Sequence, residues 1–116
     1  MEYKFIKTDY LEMVAGGDTE LLKELIGMFR DQVAEFNNVM KDLYSEGNYH
    51  ALGSLAHKAK SSVAIMGMDS LANMLKKFES EAMVGNNTEM YESYISRFTK
   101  DTGSALSELD VLIKIL

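Results

Sequence analysis

Leu22, Ile26, Phe29, Val33, Phe36, Met40 and Leu43 follow one another at spacings of three and four residues, with mostly polar residues between them. That spacing puts all seven on one stripe of an α-helix running from about Thr19 to Ser45, roughly seven turns. A strand would need alternation with a period of two, and no segment sustains it. Three further segments read the same way. From about Tyr49 to Met66 the inward set is Leu52, Leu55, Ala56, Ala59, Val63 and Met66. From about Ser70 to Val84 it is Leu71, Met74, Leu75, Phe78 and Ala82. From about Glu89 to Ile115 it is Tyr91, Ile95, Phe98, Leu106, Leu109 and one of Leu112 and Ile113.

The breaks agree with these stripes. Gly16-Gly17, Gly47-Asn48, Gly67 and Gly85-Asn86-Asn87 divide the chain into five pieces, and no proline interrupts any of them. Asp18, Asn48, Asp69 and Thr88 stand where N-caps belong, and Thr8 is placed to cap a short first helix. The expected fold is therefore all-α: an antiparallel up-down-up-down four-helix bundle, with a short additional N-terminal helix closing one end. The 116 residues make a single domain, 1–116, large enough to bury a core. There is no internal repeat or low-complexity stretch, and the nine methionines read as core filler at helical spacing.

Composition acts mainly by exclusion. Without cysteine there are no disulfides, thiolate metal sites or thiol nucleophiles. The first ten residues alternate charged and apolar types and lack the apolar run of a signal peptide, and no segment approaches the ~18 apolar residues of a membrane span. The cytoplasm is the expected compartment. A net charge of −6 speaks against a nucleic-acid surface, so the partners should be proteins.

The chain has two histidines, His50 and His57, both on the third helix. At ~100° per residue, His57 points about 150° away from that helix's apolar stripe, into solvent. One turn before it lie Gly53 and Ser54; one turn after it Lys60 and Ser61; two turns after it Ala64. Exposed helix faces usually carry long charged side chains. Four small residues around a histidine suggest access for another protein, and Gly53 costs the helix about 1 kcal/mol relative to alanine. The alternative is a chance run on a helix rich in alanine and serine. From Gly53 to Phe78 four lysines face one aspartate, a local +3 in a chain whose remainder sums to −9. Such a patch suits an anion and an acidic partner.

An exposed histidine near neutral pH has a ring nitrogen free to attack, and phosphoryl is a group it can carry. Lys60, three residues on, is within reach of phosphoryl oxygens. There is no Gly-rich phosphate loop, so ATP chemistry must lie elsewhere. No carboxylate cluster is evident around His57, and two histidines seven residues apart are too few for a di-iron or zinc site.

The segment LGSLAHKAKSSVAIMGMDSLANMLKKFE resembles the signature of histidine phosphotransfer (HPt) domains of bacterial phosphorelays, where an A-H-x-L-K-G-S/A-S/A run leads to a glycine and a second amphipathic helix. YLEMVAGGDTELLKELIGMFRDQV and EGNYHALGSLAH resemble the family's opening and the turn into its active helix, so the likeness covers nearly the whole chain. It implies that His57 is the phosphoacceptor, that Lys60 steadies the phosphoryl group, and that Gly67 ends the helix with Ser62 facing the bundle. Gly53, Ser54, Lys58, Ser61 and Ala64 would then form the docking surface. The implied partners are response-regulator receiver domains and a hybrid sensor kinase, with the chain a monomeric phosphocarrier that needs no cofactor because magnesium comes with the receiver. Two positions depart from the pattern. Ala59 stands for the usual leucine, which loosens local packing, and Ser61 for the usual glycine, which bears on docking. His50 reads as a rim or surface residue, and exposed Ile65 as part of an apolar docking patch. Two other readings remain: the dimerisation-and-phosphotransfer segment of a sensor kinase, and a structural or adaptor bundle. The first would place an acidic residue and then a proline after the histidine, whereas Lys58 and Ala59 follow here.

Overall fold

The computed structural model describes residues 3–116, and the described residues form five α-helices and no strand. Met1 and Glu2, the start of the domain expected over 1–116, lie outside the described residues. The helices are α1 (Asp9–Ala15), α2 (Thr19–Glu46), α3 (Tyr49–Ile65), α4 (Asp69–Met83) and α5 (Tyr91–Ile115). At ~1.5 Å per residue α2 is about 42 Å long, which matches the 43 Å long axis of the molecule. α2 packs on α3 and α5, and α4 packs on the same two, so four antiparallel neighbours close a ring. α1 lies against α2.

The stripes read from the sequence turn inward. Ile26, Phe29, Met40, Leu52, Val63, Leu75, Phe78, Phe98 and Leu109 are buried, each such side chain contributing roughly 1.5–3 kcal/mol before entropy is set against it. Phe36, Leu43, Leu55 and Leu106 sit half-buried at the margin. Of the last pair in α5, Leu112 is buried and Ile113 half-buried. Three core positions carry no apolar signal or a weak one: Tyr94, Ala105 and Thr102. Thr102 is fully buried because its hydroxyl donates to the Phe98 carbonyl at 2.6 Å, one turn back. Among the described residues the methionines divide evenly, contrary to the expectation of core filler. Met40, Met66, Met68 and Met74 are buried, while Met13, Met28, Met83 and Met90 are exposed.

Two of the expected caps hold: Asp18 accepts from the Leu21 amide at 3.1 Å and Asn48 from the Ala51 amide at 3.3 Å. The others do not. The N-cap of α4 is Met68, drawn into the core, so Asp69 stands in the first turn and its carboxylate pairs with Lys7 at 3.3 Å. α5 begins at Tyr91 after a 3-10 turn over Thr88–Met90, and Thr88 caps nothing there. The Tyr91 hydroxyl, which donates to the Glu81 and Asn86 carbonyls, holds that start instead. Thr8 occupies the N-cap position of α1, yet its hydroxyl donates to the Glu12 side chain at 3.2 Å rather than accepting from the backbone.

Gly67 ends α3 with φ of +72°, and the N-terminal segment crosses directly over it. A Cβ there would lie 2.4 Å from Lys7 Cβ and 2.7 Å from its carbonyl oxygen, so both conformation and clearance require glycine.

Candidate functional site

α3 presents His57 on the outer face of the bundle with its side chain 60% exposed. Ser54, Lys58, Ser61 and Ala64 are exposed on the same helix, as is His50 two turns earlier, and Ile65 is 41% exposed. Ser62, at the margin, donates to Gln32 of α2 at 3.0 Å. Ala59 is fully buried, so the smaller side chain leaves no opening to solvent.

Gly53 does not belong to this open face. It is buried against α4, where an added Cβ would lie 3.0 Å from the Met83 backbone nitrogen, Cγ and Sδ. The glycine expected to give a partner access instead lets Met83 lie close, and so shapes the site indirectly. Met83, Ser54, Lys58, His57 and Glu79 line a surface cleft of about 320 Å³, one wall of which Gly53 makes possible.

Glu79 closes the KKFE run of the segment that resembles the HPt signature, but the sequence alone assigns it no role. It stands on α4, one residue beyond the stretch whose charge was counted as +3, and it is the nearest partner of the histidine. Both carboxylate oxygens lie 3.0 Å from His57 Nδ1, and Oε1 lies 3.5 Å from Lys60 Nζ. The hydrogen bond from His57 holds the Glu79 carboxyl below its ordinary pKa of 4.5, and the charges of His57 and Lys60 act the same way against partial desolvation. An ionised carboxylate can only accept, so the hydrogen between them belongs to Nδ1. In the neutral ring that leaves the lone pair on Nε2, across the ring from Glu79. The site is thus a triad across two helices rather than a lone histidine. Its one signal in the sequence was the acid closing the KKFE run, on an element whose facing could not be set from the third helix alone.

Lys60 is half-buried, and its ammonium rests on Glu79, on the Nδ1 side of the ring. Among the described residues no group of three or more His, Asp or Glu could hold a metal ion, and no helix is long and apolar enough to cross a membrane.

The described residues thus form a four-helix bundle that exposes an imidazole hydrogen-bonded to a carboxylate, with small side chains along the same ridge. The family model of the Hpt domain matches residues 24–109, most of the chain, and the chain belongs to that family. Membership carries a histidine phosphotransfer role in two-component phosphorelay signalling. No curated protein and no solved structure matches the chain.

Proposed function

We propose that this domain is a relay intermediate that takes a phosphoryl group from the aspartate of one receiver domain onto His57 Nε2 and passes it to the aspartate of another. The hydrogen bond from Nδ1 to Glu79 is the observation that carries this reading, because it presents Nε2 outward as the nucleophile. In the forward step the Nε2 lone pair attacks phosphorus, the P–O bond to the aspartate breaks, and the carboxylate leaves as an anion. The ring then carries a positive charge with its hydrogen still on Nδ1, and Glu79 faces that charge at 3.0 Å. In the return step the neutral imidazole leaves with the same hydrogen. No proton has to move, so the carrier needs no acid or base of its own. The magnesium of the transfer belongs to the receiver in this scheme. Lys60 exchanges Glu79 for the phosphoryl oxygens once the group is bound, a charge-assisted contact.

Receiver docking falls on the α2–α3 side. From His57 the exposed ridge runs through Ser61 and Ala64 to Ile65, about 12 Å along α3. There Ile65 and Met28 of α2 line an apolar groove with Leu25 and Phe29. At that same end of α3 lies α1, whose outer face carries Tyr10, Met13 and Val14, respectively 50%, 69% and 46% exposed. An interface of ~800 Å² per partner spans roughly 30 Å, enough to include these residues with the histidine. Lys58, exposed beside His57, suits the acidic rim of a receiver active site.

The test is direct. With a kinase–receiver pair, the wild-type chain should acquire acid-labile, base-stable phosphate, and His57→Gln should acquire none while keeping its far-UV helical signal. Labelling of His57→Gln would remove His57 from the role.

A further inference from the structure

The N-terminal segment does not simply lead into α1; α5 grips it. The Glu108 carboxylate accepts from three consecutive backbone amides, Lys4 at 2.8 Å, Phe5 at 2.9 Å and Ile6 at 3.1 Å. Ile6 is buried, and the Lys7 amide donates to the Met66 carbonyl at 2.9 Å, just beyond the end of α3. The segment is therefore pinned to α5 on one side and to the end of the histidine helix on the other.

α1 depends on this anchor. At seven residues it is far shorter than the ~12–15 residues a helix needs to persist alone. Only Leu11 and Ala15 are buried, and a cleft of about 170 Å³ lies between its C-terminal half, the first turn of α2 and Leu116. Two buried side chains over a cleft define a helix axis poorly, so its direction is decided by where its two ends are fastened.

We propose that Glu108 is a positioning residue for partner docking: by gathering the backbone of Lys4–Ile6 it holds α1 in the orientation that presents Tyr10, Met13 and Val14 to the receiver. The proposal rests on the docking side assigned above. Glu108 touches neither phosphoryl group nor receiver; it acts through the N-terminal segment and α1.

Three measurements on the full chain test it: hydrogen exchange of the α1 amides, steady-state transfer from a phosphorylated donor receiver through the chain to a second, acceptor receiver, and labelling of His57 by the small phosphodonor phosphoramidate. For Glu108→Ala, exchange over Glu12–Gly16, whose amides carry the α1 hydrogen bonds, should quicken at least tenfold and KM for the receiver should rise at least fivefold. Turnover number and phosphoramidate labelling should stay within twofold of wild type. Glu108→Gln keeps one oxygen, enough for the Phe5 and Ile6 amides, and should fall between wild type and alanine in both exchange and KM. Gly67→Ala, which pushes Lys7 off the turn without touching Glu108, should repeat the rise in KM. Unchanged α1 exchange, or an unchanged KM with well-folded variants, overturns the assignment, and so does a loss confined to turnover. A wild-type chain that accepts nothing from phosphoramidate or receiver overturns the relay reading instead, and α1 exchange then still decides whether Glu108 positions that helix.

Discussion

Replacing Gly53 with alanine sets two effects of known sign against each other. In the interior of α3 alanine is favoured over glycine by about 1 kcal/mol, because the unfolded chain loses less backbone freedom. Against that stands a Cβ placed 3.0 Å from Met83 Cγ, Sδ and backbone nitrogen. The side-chain atoms can swing toward solvent, since Met83 is 38% exposed. The backbone nitrogen cannot, so α3 and α4 must part by a few tenths of an ångström along a buried seam. Overpacking of this kind costs typically 1–3 kcal/mol. The net expectation is destabilisation by about 1 kcal/mol, which for a domain of this size lowers the melting temperature by roughly 4 °C. Calorimetric or circular-dichroism melts of the wild type and Gly53→Ala decide the matter. A variant that melts about 4 °C higher would refute the packing argument and return Gly53 to the open face, where only helix propensity counts.

Other consequences concern the triad, the docking ridge and the far end of α4. Glu79→Gln presents an amide that can offer either its oxygen or its NH₂ to Nδ1, so ring nitrogen-15 spectra should change from the single Nδ1–H tautomer to a mixture; an unchanged tautomer would show that the carboxylate does not set it. Because the folded pKa of Glu79 is depressed, its contribution to stability is complete above pH 4.5 and is lost as pH falls through the folded value, so the wild-type advantage over Glu79→Gln in urea melts should shrink below that pH. Ser61→Arg adds bulk on the exposed ridge and should raise the receiver KM while leaving melting unaltered; a normal transfer rate would place docking elsewhere. Tyr94, nearly buried with its hydroxyl on Glu81, has its pKa pushed up to about 12, chiefly by burial. A raised folded pKa favours the protonated form, so this contribution is complete below pH 10 and is lost between pH 10 and 12. Over that interval the wild type should lose up to ~3 kcal/mol more than Tyr94→Phe in denaturant melts, and parallel curves would refute it.

The amino-acid sequence by itself determined the helices, their order and the outward direction of His57. Each is a local matter of 3.6-residue periodicity, glycine and asparagine breaks, and the angle between one side chain and its own apolar stripe. Where local chemistry competed with the core, sequence reading went astray: Met68 took the cap position from Asp69 because its side chain is buried, and Tyr91 set the start of α5 through a hydroxyl bonded across the loop. What no single helix could decide was which residues of α4 meet which of α3. That meeting turned Gly53 from an access point into a contact with Met83, and the lone imidazole into one oriented by Glu79. It also brought Glu108, late in the chain, onto the backbone of residues 4–6. Contacts between elements depend on how helices rotate and slide to fill a shared interior, and that is settled by the whole set of side chains at once.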